Sequence, residues 1–129
     1  MQPFIGGFLG FRVSPRFYPI RLGAYMQNNT ELSIEIENTG EQPCWTECDV
    51  IVPEALSLAP DRELSKGRVR IGIINASETL GGKCKIYAGP KSYPDIYEIR
   101  LVLYGFGKDG VILQREEKKT EIRCEHLGK

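Results

Sequence analysis

The residues best suited to chemistry in this sequence are four cysteines, Cys44, Cys48, Cys84 and Cys124. An even number, with Cys44 and Cys48 in a Cys-x-x-x-Cys spacing, is what a zinc site or a pair of disulfides would use. The alternation around them points elsewhere. Cys44 and Cys48 share a phase with Val50 and Val52, Cys84 with Ile86, and Cys124 with Ile122. All four are therefore directed at a core. A separation of four along an extended strand also sets two Cα atoms ~13 Å apart, too far for Cys44 and Cys48 to share a metal. A disulfide between them would need Cα atoms roughly 4.4–6.8 Å apart. Buried free thiols that pack as small hydrophobes are expected, with no metal and no cofactor. Disulfides or a metal site are the alternatives, and with them a metal- or redox-responsive cysteine protein.

Other constellations offer less. His126, the single histidine, follows Cys124 by two residues, and a Cys–His nucleophile pair would need that neighbourhood. A solvent-facing histidine near the chain end is the simpler reading. No serine stands in a nucleophile elbow, so no catalytic residue is assigned and the chain is read as a non-enzyme. Glu35, Glu37, Glu47 and Asp49 fall on polar phases of their strands. Calcium sites draw several carboxylates together from loops. Cross-strand pairing of these acids with Arg68, Arg70, Lys83 and Lys85 is expected instead, each exposed pair contributing about 0.2–1 kcal/mol.

Large apolar side chains in the wrong phase are more informative. Trp45 and Ile51 alternate out of phase with Cys44 and Cys48, and Val102 and Tyr104 fall on the polar phase of their strand. In an immunoglobulin topology these two strands are neighbours, so the four residues are expected to form one outward patch. Exposed apolar patches mark interfaces, and Trp and Tyr are favoured anchors. Trp45 and Tyr104 could also stack on sugar rings. Four of the five phenylalanines, Phe4, Phe8, Phe11 and Phe17, lie in the first 17 residues among Gly6, Gly7 and Gly10. This segment reads as a bendable arm able to cover the patch, from the same chain or from a second subunit. Trp45, Ile51, Val102, Tyr104, Phe4, Phe8 and Phe11 are thus the expected interface residues. The expected partner is another protein or a second copy, with a homodimer favoured.

The elements that must hold these residues are strands. Leu32, Ile34 and Ile36 alternate with Ser33, Glu35 and Glu37 up to an Asn38-Thr39-Gly40 turn. Val69, Ile71 and Ile73 alternate with Arg68, Arg70 and Gly72. Cys84–Ile86, Tyr97–Tyr104 and Thr120–Cys124 alternate likewise, and Pro43 and Pro53 bracket a strand from Cys44 to Val52. An early strand is expected near Pro19–Met26. Gly81-Gly82 and Lys108-Asp109-Gly110 read as turns, the latter closing a hairpin. No helical pattern of useful length occurs; Pro60 interrupts the best candidate, 53–65. Seven to eight such strands predict an all-β, immunoglobulin-like antiparallel β-sandwich, with a partly open barrel as the alternative. The domain is expected over residues 17–126, after an arm over 1–16 and before a tail over 127–129.

At 129 residues the chain fits one domain able to bury its own core. Lys and Arg total 17 and so do Asp and Glu. Without a basic excess, nucleic-acid binding is not expected. No stretch reaches the ~18 apolar residues of a membrane helix, and no membrane partner is expected. Met1–Phe11 lacks the basic start and cleavage site of a signal peptide. A cytoplasmic location is expected, or an extracellular one if a leader has been removed. The sequons at Asn28 and Asn75 matter only in a secreted protein.

The run Leu32–Glu41, with its Asn38-Thr39-Gly40 turn, resembles the second strand of CARDB-type domains, the adhesion-related immunoglobulin-like modules of bacteria and archaea. Lys66-Gly67-Arg68-Val69-Arg70-Ile71 and Pro94-Asp95-Ile96-Tyr97-Glu98-Ile99 fall where that pattern has a Gly-led strand and a Tyr-containing strand. The resemblance spans about residues 30–105. It implies a β-sandwich that serves as an interaction or spacer module without shared catalytic residues.

Overall fold

The computed structural model describes residues 10–127. Among them are eight strands and no helix: β1 (Phe11–Tyr18), β2 (Arg21–Gly23), β3 (Asn28–Asn38), β4 (Cys44–Ile51), β5 (Lys66–Ile74), β6 (Thr79–Ala88), β7 (Asp95–Phe106) and β8 (Ile112–Glu125). They form a three-stranded sheet, β1-β3-β6, and a five-stranded sheet, β2-β8-β7-β4-β5. Every pairing is antiparallel except that of the short β2 with the end of β8. The chain is an immunoglobulin-like β-sandwich.

Alternation explains the two layers. Leu32, Ile34 and Ile36 of β3 face inward from the small sheet. Cys48 and Val50 of β4, Ile99, Leu101 and Leu103 of β7, and Ile122 of β8 face inward from the large one. Each fully buried aliphatic side chain is worth about 1.5–3 kcal/mol. Tyr97 ties the start of β7 to the loop before it, its hydroxyl donating to the carbonyl of Tyr93 at 2.5 Å. A tyrosine so placed, bonding back to the chain four residues upstream, is a hallmark of immunoglobulin-like sandwiches. The Asn38-Thr39-Gly40 turn also forms: Asn38 Oδ1 accepts from Gly40 N at 2.9 Å, and Nδ2 donates to the carbonyls of Gln42 and Ile74. One buried amide thus anchors the β3–β4 loop to the end of β5.

Three expectations are corrected here. Residues 11–16 are not part of an arm. They begin β1, paired with β3 from Phe11↔Asn38 to Tyr18↔Glu31, because Phe11, Val13 and Phe17 alternate with Arg12, Ser14 and Arg16 and cover the core edge. Pro15 is tolerated because β1 is an edge strand. Phe11 is consequently a core residue, not an interface one; Phe4 and Phe8 lie outside the described residues. Gly81 and Gly82, expected in a turn, lie inside β6. A Cβ at Gly82 would meet Val69 and Ile71 at 2.6 and 2.9 Å, so the two sheets touch there only because a side chain is missing.

Candidate functional site

The solvent face of the five-stranded sheet follows from the strand registers. Directly opposed residues share a face. Trp45 of β4 opposes Ile73 of β5 and Phe106 of β7, and Phe106 opposes Ile112 of β8. Four neighbouring strands therefore carry Ile73, Trp45, Phe106 and Ile112 side by side. The row spans about 14 Å at the usual strand spacing. Ile73 is 57 %, Trp45 40 % and Ile112 53 % exposed. Below it the residues are Arg70, Glu47, Tyr104 and Arg115, then Arg68, Asp49, Val102 and Glu117.

The row is aromatic at its centre and held there. The Tyr104 ring stacks with Phe106 at 6.1 Å between centroids. Trp45 Nε1 donates to Glu47 Oε2 at 2.6 Å, which orients the indole. The other Glu47 oxygen accepts from Arg68 Nη1 at 3.0 Å. Arg68 also grips Asp49 through Nε and Nη2, at 2.7 and 3.2 Å, and its guanidinium lies 4.9 Å from the Tyr104 ring centre. A two-pronged guanidinium–carboxylate pair is among the strongest polar contacts available. It holds the Asp49 carboxyl well below the usual carboxylate range and pushes the Arg68 guanidinium further up. Arg100 Nε reaches Glu117 at 2.6 Å on the same face, and likewise lowers its carboxyl.

Of the expected patch residues, Trp45, Ile51, Val102 and Tyr104 all lie on this face, but they do not form one patch. Val102 is 2 % exposed. It stands between Asp49 and Glu117, beneath the ion pairs those acids make with Arg68 and Arg100. Ile51 is six residues from Trp45, about 20 Å along the strand. It borders a separate groove of about 620 Å³ with Tyr93, Asp95 and Ile96. Asp49, expected on a wet face, is 2 % exposed. The pairing of Glu47 and Asp49 with Arg68 is as expected. Glu35 and Glu37 pair instead with Arg16 and Arg12 of β1.

Three members of the row, Ile73, Phe106 and Ile112, escaped the sequence reading. Plain alternation placed Ile73 on the same face as Val69 and Ile71. A bulge in β5 changes the phase: Thr46 opposes Gly72 while Glu47 opposes Arg70, leaving Ile71 unpaired. Gly72 takes a φ of +111°, open to glycine alone at low cost. A glycine inside a strand pattern was the available signal.

The cysteines are poorly placed for chemistry. Cys44, Cys48 and Cys124 are buried, Cys84 is half-buried, and all four are free thiols. Burial pushes the Cys48 thiol up to about 12 and that of Cys84 up to about 11, with Cys84 adding to the shift of Cys48. Burial also raises Cys124. Such thiols stay protonated and are weak nucleophiles and weak ligands. Among the described residues no three His, Cys, Asp or Glu side chains gather as a metal site. His126 is exposed, its ring 5.6 Å from that of Tyr25.

No family model matches the chain, and no curated protein is similar to it in sequence. Solved structures are similar in fold. A segment of Escherichia coli alpha-2-macroglobulin, from domain MG7 to the C-terminus, superposes with a TM-score of 0.68 at 12 % identity over 93 % of this chain. The chain spans 17 % of that longer segment. The CARDB domain of a Pyrococcus furiosus protein, solved with two metal ions, superposes with a TM-score of 0.55 at 11 % identity, covering 95 % of this chain and 99 % of that one. The major pilin subunit of Bacillus cereus matches at 0.55 and 9 % identity, over 89 % of this chain and 40 % of its own. The resemblance to CARDB domains thus holds at the level of fold.

Proposed function

We propose that this chain is a non-enzymatic protein-interaction module that docks a partner on the solvent face of its five-stranded sheet. One observation carries the reading: Ile73, Trp45, Phe106 and Ile112 form an unbroken apolar row across four strands. Elsewhere on that face ion pairs flank the buried Val102, and Ile51 borders a separate groove. Aromatic anchors at the centre with arginines at the rim match the anatomy of protein interfaces. The likeness of fold to a pilin subunit and a CARDB domain is consistent with such a role. It supplies no partner, because fold does not determine function.

The test is co-purification from the native host with the wild-type chain and with Trp45→Ala as baits. Proteins held through the row, the chain's own copies included, are expected to be lost with the variant. A set of bound proteins indifferent to Trp45→Ala would refute the reading.

A further inference from the structure

We propose that the occupant of the row is an apolar segment of a protein partner that carries two carboxylates about 14 Å apart. This rests on the reading of the row as a docking surface and adds the chemistry of what docks there. The argument is the charge of the residues just below the row, Arg70, Glu47, Tyr104 and Arg115, which share its face. The acids of this part of the face, Glu47, Asp49 and Glu117, are already taken. Arg68 holds Glu47 and Asp49, and Arg100 holds Glu117 at 2.6 Å. Glu47 lies directly across from Arg70, yet its two oxygens are turned to Trp45 and Arg68. Arg70 is exposed and has no carboxylate within ion-pair distance among the described residues. Arg115 is exposed too. It lies across from the uncharged Tyr104 and reaches only Glu117, at 4.0 Å.

The two guanidiniums thus stand on the outer strands of the four that carry the row, β5 and β8. Three strand spacings, about 14 Å, separate them, and each lies about 7 Å along its strand from the row. A partner that sets apolar side chains on Trp45 and Phe106 brings its own flanks over Arg70 and Arg115. Covering these charges without pairing them is costly. A carboxylate over each accepts the two-pronged bond that a guanidinium offers, whereas a basic partner is repelled twice. In an extended segment, residues four apart point to one side and stand about 14 Å apart. The pattern that fits is therefore two acids with three largely apolar residues between them.

The test is titration of the full chain, followed by Trp45 fluorescence, with the peptide acetyl-Glu-Leu-Val-Leu-Glu-amide and with its Gln and Lys counterparts. The acidic peptide should shift Trp45 at about millimolar concentration, the range expected of so small a contact. The Gln peptide should bind at least about tenfold more weakly, roughly the loss of one good charge contact, and the Lys peptide weakest of all. The double variant Arg70→Glu, Arg115→Glu should invert this order, and circular dichroism checks that it is folded. Acidic and Gln peptides of equal affinity, or an order that the double variant does not invert, overturn the acidic partner while leaving the row as a docking surface. A Trp45 signal that ignores the acidic peptide up to about 10 mM, about 2.7 kcal/mol, also overturns it. If that signal changes instead with the concentration of the chain alone, the row belongs to a second copy. Proteins still lost from the Trp45→Ala bait would in either case leave the docking surface standing.

Discussion

Ile73 stands directly across from Trp45 on the solvent face of the larger sheet, although Val69, four residues earlier on the same strand, packs against the core. Four residues are an even number of steps, so simple alternation would put both on one side. The bulge at Ile71–Gly72 inserts the extra residue that separates them. Ile73 joins the row through this irregularity in an edge strand, and Ile112 through a second one, at Gly105–Phe106 in the β7–β8 pairing.

Gly72→Ala isolates that irregularity. A Cβ at this position meets nothing within 4 Å, so the whole cost is that of holding alanine at a φ of +111°. Destabilisation of about 1–2 kcal/mol is expected, read as a lower urea midpoint with an unchanged slope. An unaffected midpoint would mean that the bulge is not built as described.

Arg68→Met removes the clamp on Asp49 and leaves a buried carboxylate with Lys66 Nζ at 3.7 Å. Breaking a fully buried pair costs about 3–5 kcal/mol. Arg68 is itself partly exposed, so about 2 kcal/mol is expected after screening. The pH dependence has a definite sign. Asp49 has its folded carboxyl lowered below 3.8. Its contribution is full above that value and lost as pH falls through the lower folded one. The variant lacks that contribution, so its stability should fall less steeply than the wild type's as pH drops below 3.8. Thermal melting across the acid range measures this, and coincident acid limbs would reject the role given to Arg68.

Much of this architecture can be read without a structure, for identifiable reasons. β3, the end of β8 and, apart from Val102, β7 show two-residue alternation, since each has one face in the core and the other in water. β1 carries the same signal in Phe11, Val13 and Phe17, but the phenylalanines clustered with Gly6, Gly7 and Gly10 suggested an arm. The first half of β8 lacks an apolar face, so its strand character comes from pairing with β7. Trp45 and Tyr104 were visible as apolar residues in a polar phase. Val102 shared that phase, yet no local pattern reveals that Asp49, Arg68, Arg100 and Glu117 close over it. That depends on register across four strands.

The cysteines predict behaviour at the opposite end of the pH scale. Cys48 and Cys84 rise from 9.0 to about 12 and about 11. Above pH 9 the unfolded chain releases protons that the native one retains, so stability falls as pH rises. The limiting slope is about 1.4 kcal/mol per pH unit for each thiol. Tyr97, raised from 10.0 to about 12, adds to the loss at still higher pH. Urea unfolding on either side of pH 9 should show the decline, shallower in Cys48→Ala. Equal slopes in the two proteins would contradict the burial of the Cys48 thiol.

The chain has a single tryptophan, and it stands in the middle of the row. Acrylamide quenching of Trp45 fluorescence, with and without whatever the chain binds, its own copy included, therefore reports directly on the docking surface. Binding through the row should bury the exposed part of the indole and lower the quenching constant by about half, given the desolvation of interface anchors. A partner bound at saturation with Trp45 quenched as readily as in the free chain would place the interface elsewhere and contradict the account.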